Sequence, residues 1–374
     1  MKKNQAAKRR EKLNKQKNNT MNVAIMIPSL NPDEKLTNYV RQLAKERFRE
    51  IVVINDGSSE QYDSIFDEIS TLEKCTVLRH EVNKGKGRAL KTGMDYILHH
   101  LPDCVGIVTG DADGQHRLKD TIRVARELIK NDNRLILGSR NFNSPHIPAR
   151  SSFGNKLTSW VFAIMFGQKL MDTQTGLRGI PLKIVPTMLE IAGERFEYEM
   201  NMLIECRRQK IEIFEIPIET VYIDENSSSH FNPIVDSIKI YWLIFRSFFS
   251  FIFTSISCTL LDLLLFTLLA KLVIPMVSPS FGYRIELATA IARVISASVN
   301  FIVNKNVVFH KKGHIVSSAV KYFCLAIVQM TISAKTVKFF FELLGWNEVI
   351  IKAMVDTVLF IANYFIQKRF IFKK

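Results

Sequence analysis

The chain has 374 residues, 47% of them hydrophobic, with five cysteines and a formal net charge of +15. That length accommodates two or three domains. The cysteines (Cys75, Cys104, Cys206, Cys258, Cys324) are scattered and form no Cys-x-x-Cys, which argues against a disulfide framework or a zinc site and fits a reducing compartment.

Residues 1–20 form a basic arm: Lys2, Lys3, Lys8, Arg9, Arg10, Lys12, Lys15 and Lys17 stand against Glu11 alone, and no apolar run makes it a signal peptide. It reads as a disordered, solvated tail, and equally as one drawn to anionic headgroups at about 1 kcal/mol per basic residue near a membrane surface. It lacks the interleaved aromatics that nucleic-acid binding would require.

From residue 21 to 232, short β-branched runs alternate with amphipathic stretches. Val23–Pro28, Ile51–Asn55, Thr76–Leu78, Cys104–Thr109 and Leu135–Ser139 read as buried strands. Helical spacing appears at Leu90, Met94, Ile97, Leu101 and at Leu118, Ile122, Ala125, Ile129. Such alternation implies a mainly parallel sheet with helices on both faces, and ligands bind such sheets beyond the carboxyl ends of the strands. Pro28-Ser29, Asp56-Gly57-Ser58, Asp111–His116 and Gly138-Ser139-Arg140 all fall at those ends. Asp111-Ala112-Asp113 carries the most information. Two carboxylates one residue apart at the end of a buried strand offer hard oxygen ligands to a divalent cation and leave open positions for the diphosphate of a sugar nucleotide. An isolated Asp-x-Asp is more often a solvated loop pair; the strand–helix setting is what gives this one meaning.

Residues 233–246 read as an interfacial helix, with Ile234, Ile238 and Tyr241 on one face and Trp242 as an anchor, or as an ordinary linker. Beyond it, residues 247–374 hold four stretches near bilayer length, about 247–270, 285–304, 319–341 and 350–367. A soluble helical domain is the competing reading, because Asp262, Arg293, Lys335 and Asp356 interrupt the stretches. Charge asymmetry favours the membrane. Lys305, Lys311, Lys312 and the tail Lys368, Arg369, Lys373, Lys374 fall on one side, the cytoplasmic one, together with the first domain and both termini, while 343–349 on the other side has no basic residue. An internal repeat points the same way: Asn300–Phe309 matches Asn363–Phe372, 63 residues on, as a parallel pair of two-helix units. Buried opposite charges should pair, either Asp262 with Arg293 and Lys335 with Asp356, or Arg293 with Asp356 between repeats.

Ile27-Pro28-Ser29, Asn55-Asp56-Gly57-Ser58, Asn83-Lys84-Gly85-Lys86-Gly87, Asp111–His116, Gly138-Ser139-Arg140, Asp172–Arg178 and Ser229-His230-Phe231 come in an order and spacing that resemble a family 2 glycosyltransferase of the polyprenyl-phosphate type, which includes dolichyl-phosphate mannose synthase. Residues 247–374 are similar to the GtrA-like four-helix membrane domain. The resemblance implies an α/β GT-A fold (Rossmann-like, mainly parallel sheet) joined to an all-α four-helix transmembrane domain. It also implies a plasma-membrane enzyme that transfers one sugar, with inversion, from a nucleotide-diphosphate sugar to polyprenyl phosphate (undecaprenyl or dolichyl). Its partners would be those two substrates and membrane lipids, with no nucleic acid; a homo-oligomer is left open.

By the same resemblance, Pro28, Ser29, Asp56, Lys84, Lys86, Asp111 and Ala112 would bind the nucleotide sugar, and Asp111, Asp113 and Gln115 would hold Mg²⁺ or Mn²⁺. Asp113, Arg140 and Arg178 would be catalytic. Arg140 and Arg178 would grip phosphate of donor or acceptor, with Arg150 and Ser152 on the acceptor side. Glu197 and Glu199 lie near the rim, but an ionised phosphate needs no general base. Two alternatives stand beside this. One is a processive polysaccharide synthase, whose Gln-x-x-Arg-Trp signature is absent; the other is a non-catalytic scaffold or lipid-linked sugar flippase with a transferase-like head, against which the intact acidic pair argues.

Overall fold

The computed structural model describes residues 21–142, 149–219, 235–269, 271, 281–311 and 315–372. The basic arm, Ser229-His230-Phe231 and Ile234 lie outside the described residues, as does the side chain of Arg150. Two compact units divide the chain, Met1–Ile244 and Phe245–Lys374.

In the first unit seven strands form one sheet: β1 (Met21–Ser29), β2 (Phe48–Asn55), β3 (Cys75–Arg79), β4 (Gly106–Thr109), β5 (Arg134–Arg140), β6 (Arg178–Pro181) and β7 (Glu212–Ile218). Their order is β3-β2-β1-β4-β6-β5-β7. All neighbours are parallel except β6, which runs antiparallel to both β4 and β5. The strands β1 and β2 read as unbroken apolar runs because both faces of the sheet are covered. Helices α1 (Glu34–Ala44), α2 (Asp63–Ser70) and α4 (Leu118–Lys130) pack Leu36, Val40, Phe66, Ile69, Val124 and Leu128 against Val23, Ile25, Ile27, Ile51 and Val53. On the other face α3 (Lys86–His100) lies on β1 and β2 with Leu90, Met94 and Ile97 buried. Helices α5 (Ala149–Phe166), α6 (Val185–Leu189) and α7 (Glu197–Arg208) complete the described elements of this unit up to β7.

The mainly parallel sheet is as expected, and two strands are additional. Strand β6 is four residues of Arg-Gly-Ile-Pro, too short to show a period, and β7 alternates like an edge strand with Glu212 and Glu215 among its apolar positions. The apolar stripe of α4 is also turned from the expected one. Thr121, Val124, Ala125 and Leu128 are buried while Ile129 is exposed. Polar anchors set that rotation: the buried Asp120 accepts from the Glu219 N–H (3.1 Å) and Arg123 (3.0 Å), and the Thr121 and Tyr39 hydroxyls meet at 2.6 Å.

The second unit contains α8 from Phe245 onward (the whole helix is Val235–Leu268), α9 (Phe281–Val303), α10 (Ile315–Leu344) and α11 (Glu348–Ile366). Four stretches, Tyr241–Leu268, Leu287–Val308, Ile315–Leu344 and Val349–Ile371, are long and apolar enough to cross a membrane. The repeat is visible in three dimensions. Both copies end in a π-helical turn, Asn304–Val308 and Gln367–Ile371, at equivalent positions. Phe301 contacts Phe372 with ring centroids 5.9 Å apart, and the equivalent pair Tyr364 and Phe309 is 5.8 Å apart. Exchanged contacts of this kind mark two copies facing one another across a pseudo-two-fold axis. Near it the Asn304 amide donates to Asn300 (2.5 Å) and Gln367 (3.4 Å), and Gln367 donates to Asn363 (3.2 Å).

The charged groups settle between the two expected pairings. Arg293 lies 3.6 Å from Asp262, which also accepts from Ser296 (2.7 Å). Asp356 does not pair with Lys335, which is exposed; it takes Ser333 (2.6 Å) and Lys352 (2.8 Å). Lys352 is one helical turn from Asp356, so the local i,i+4 partner wins over the distant one. For the amide clasp, Asn304→Leu and Gln367→Leu should each lower stability by about 1 kcal/mol, with the double variant losing less than the sum, measured by thermal unfolding in detergent.

Candidate active site

Strand order reverses at β1: β2 and β3 lie to one side, β4 and the rest to the other. A crevice opens at such a switch point, beyond the carboxyl ends of the strands. Ser29 closes β1, Asn55 and Asp56 close β2, and Asp111 and Asp113 follow β4 at this edge. Because β6 is reversed, its first residue, Arg178, pairs with Thr109 at the end of β4, and the preceding Gly176 arrives at the same edge.

Asp111 is the centre of the cluster. Its Oδ1 lies 2.7 Å from Lys86 Nζ, its Oδ2 lies 3.2 Å from His116 Nε2, and the same ammonium reaches Glu199 at 3.0 Å. Burial opposes the charge on Asp111, yet Lys86 and His116 beside it hold the carboxyl well below the usual carboxylate range. Burial likewise works against the Lys86 charge, but the Asp111 and Glu199 carboxylates outweigh it and hold the ammonium above the usual lysine range. Asp113 is in the opposite state: burial and then the Asp111 charge push it upward. Its Oδ1 accepts from the Gln115 N–H (3.0 Å), closing the turn that aims both carboxylates.

Gly176 explains how Asp111 is seated. A Cβ there would stand 2.1 Å from Asp111 Oδ2, so only glycine allows the carboxylate to lie against this backbone. Thr109 holds the segment in place, donating to the Gly176 carbonyl (2.6 Å) and accepting from the Arg178 N–H (3.2 Å).

The donor set fits a divalent cation. Two hard carboxylates share a tight turn, although among the described residues no group of three or more His, Cys, Asp and Glu side chains is gathered to hold a metal ion. Two carboxylates with open positions suit Mg²⁺ or Mn²⁺ that is shared with phosphate oxygens. Gln115 is buried at the turn, and Ala112 packs toward the core.

Other expected residues take different roles. Asp56 is 3% exposed, and its oxygens accept from the backbone N–H groups of Lys84 (3.0 Å) and Gly85 (2.8 Å) and from His80 Nδ1 (2.7 Å). It therefore fixes the Lys84-Gly85 loop, whose Gly85 has φ +99° and lets α3 begin at Lys86 with no side-chain cap. Pro28 and Ser29 are buried at the foot of the crevice, and Ser29 Oγ has no partner. Lys84 is exposed on the rim.

Arg178 is 1% exposed, donating to the Thr175 carbonyl (2.9 Å) and the Glu199 carbonyl (2.7 Å), so it ties β6 to α7, while its Nη2 is buried with no hydrogen-bond partner. The antiparallel entry of β6 turns this side chain inward. Arg140 remains at the edge, held two-pronged by the fully buried Asp172 (2.6 and 3.1 Å) and stacked 4.9 Å from Phe142. Ser152 donates to the Phe142 carbonyl (3.0 Å). Neither nearby glutamate is a free base: Glu199 is paired with Lys86, and Glu197 accepts from the Glu194 (3.2 Å) and Arg195 (3.3 Å) N–H groups.

Sequence reasoning passed over His80, His116 and Asp172 as site residues, and weighed Glu199 only as a base. His116 and Asp172 stood inside the motifs, and His80 directly follows β3 at the same edge as the other strand-end residues.

Residues 24–174 match glycosyl transferase family 2, and residues 250–372 match the GtrA/DPMS transmembrane domain. A UDP-N-acetylglucosamine–dolichyl-phosphate N-acetylglucosaminyltransferase of Methanococcus voltae is 27% identical over 230 residues, covering 57% of this chain and 91% of its own. Glycosyltransferase AglJ of Haloferax volcanii is 21% identical over 229 residues, covering 60% of this chain and 71% of its own. Glucosyl-3-phosphoglycerate synthase from Mycobacterium tuberculosis, solved with Mn²⁺, UDP and phosphoglyceric acid, is 13% identical with a TM-score of 0.45, covering 60% of this chain and 77% of that one. Together, the family matches and the apolar helices make the protein a membrane glycosyltransferase. More particularly, it joins a family 2 glycosyltransferase domain to a GtrA/DPMS transmembrane domain.

Gly176→Ala should push Asp111 from its seat and lower sugar-transfer turnover at least about tenfold, on the scale of a small misplacement at a reacting centre. Steady-state kinetics on the folded, membrane-inserted variant check this.

Proposed function

We propose that the protein transfers a single sugar from a nucleotide-diphosphate sugar to polyprenyl phosphate at the cytoplasmic face of the membrane. The observation that carries the reading is the Asp111–Lys86–His116 cluster with Asp113 beside it, set at the switch point of the sheet. The relative that acts on dolichyl phosphate and the GtrA/DPMS match support the lipid acceptor.

The acceptor's chemistry explains why both glutamates can be committed elsewhere. A phosphate monoester has a second pKa of about 6 and reaches the site substantially ionised, so no proton need be removed from the nucleophile. The protein's task is alignment and charge management. Lys86 stands beside Asp111, where the donor's diphosphate would lie, and Asp111 and Asp113 would hold Mg²⁺ or Mn²⁺ there. The chemistry that such a cation supplies is neutralisation of the departing diphosphate. Arg140, stiffened by Asp172, would meet the acceptor's phosphate, as would Ser152, which is bonded to the Phe142 carbonyl. A single in-line displacement inverts the anomeric centre.

The test uses the purified full chain with undecaprenyl or dolichyl phosphate and a panel of labelled nucleotide sugars, with and without EDTA. Transfer should appear for one donor class, vanish with EDTA and return with Mg²⁺ or Mn²⁺. Asp111→Ala should lower it at least about a thousandfold, a loss of roughly 4 kcal/mol in transition-state stabilisation, while folding and insertion persist. Undiminished transfer by this variant would overturn the assignment.

A further inference from the structure

A closed circuit of polar contacts begins and ends on α3, and His80 is its hub. The imidazole is buried, its side chain 6% exposed. Its Nδ1 lies 2.7 Å from Asp56 Oδ1, and its Nε2 lies 3.0 Å from the hydroxyl of Thr92 on α3. An ionised carboxylate can only accept, so Nδ1 carries the proton of the first contact. The His80 N–H donates to the Asn55 carbonyl (2.9 Å), which pins the residue beside the end of β2.

Asp56 passes this constraint to the start of α3. The oxygen that meets His80 also accepts from the Lys84 N–H, and the other accepts from the Gly85 N–H. Gly85 is the residue before the helix and offers no side-chain cap, so the donors of the first turn need partners from distant segments. Asp56 takes the Gly85 N–H, and the Glu194 carbonyl takes the Arg88 N–H (3.0 Å). A Cβ on Gly85 would stand 2.4 Å from the Glu194 carbonyl oxygen, so the turn is held tightly between Glu194 and Asp56. Lys86 leaves this turn directly for Asp111 and Glu199. A buried carboxylate is stable only while its oxygens are satisfied. Among the described residues His80 gives Asp56 its only side-chain donor; the other two are the backbone groups that Asp56 itself holds.

We propose that His80 is a positioning residue for sugar transfer: through Asp56 and the Lys84–Gly85 turn it fixes where the Lys86 ammonium stands, and so where the donor's diphosphate is met. The last of these steps rests on the transferase reading; the others rest on geometry alone. Lys86 faces charge that grows on the diphosphate as it departs. Its displacement is therefore felt in kcat more than in the donor's KM.

Variants of the full chain separate the two ring nitrogens. The amide of His80→Asn puts a donor where Nδ1 stands and still reaches Asp56; that of His80→Gln puts one where Nε2 stands and reaches Thr92 instead. In His80→Ala and His80→Gln, hydrogen exchange in the peptide spanning the Lys84 and Gly85 amides, read by mass spectrometry, should be at least about tenfold faster than in the wild type, with β4 unchanged. In the same two variants kcat should fall at least about tenfold while the donor's KM moves less than about threefold. His80→Asn should keep exchange and kcat within about threefold of the wild type, because the donor to Asp56 is restored. Equal behaviour of His80→Asn and His80→Gln would overturn the proposal, as would faster exchange throughout the domain or faster exchange at the turn with full kcat. Where His80→Ala does not fold, the Asn and Gln variants decide. A wild type that turns over no nucleotide sugar sinks the transferase reading; unchanged exchange in His80→Gln sinks this one, whatever the turnover.

Discussion

A carboxylate resting on a glycine organises the catalytic domain. Asp111 lies against Gly176 at a distance no other residue permits, with an ammonium on one oxygen and an imidazole on the other. Three separate chain segments must converge for this: the end of β4, the start of α3 with Lys86, and the link into β6. Thr109 binds the first to the third by two hydrogen bonds, and Glu199 binds α7 to the second through Lys86. The energetic reason is plain. A buried carboxylate is costly unless it is paired and hydrogen-bonded, so the sequence must supply partners from every side. Its neighbour Asp113 has one backbone hydrogen bond, from the Gln115 N–H, and burial together with the Asp111 charge pushes its carboxyl upward.

The reversed strand β6 does much of the work. A purely parallel continuation after β4 would carry the chain away from the active edge through a crossover. Running antiparallel, β6 instead begins at that edge and delivers Gly176 to Asp111 while sending Arg178 inward to the carbonyls of Thr175 and Glu199. The same reversal turns Arg178 inward, while Arg140, braced by Asp172, stays at the edge.

In the membrane unit the governing constraint is the absence of water. Asn304 and Gln367, equivalent residues of the repeat, meet one another because an amide in lipid must find its partner within the protein. Asp356 follows the same rule by the shortest route available, taking a lysine from its own helix.

Much of this was legible in the chain. Apolar runs ending in polar clusters announced a parallel sheet with a site along one edge, Asp111-Ala112-Asp113 marked its centre, and the repeat of Asn300–Phe309 in Asn363–Phe372 foretold a pseudo-symmetric helical domain. These are local signals, carried by period and composition within a few residues. Which side chains meet was another matter. The burial of Arg178, the use of Asp56 as a latch and the seat provided by Gly176 each depend on segments far apart in sequence. Sequence by itself determined five of the seven strands, the edge and the acidic pair. Tertiary structure alone decided the partners, because a contact between distant residues is set by strand order and helix rotation, which no local pattern encodes.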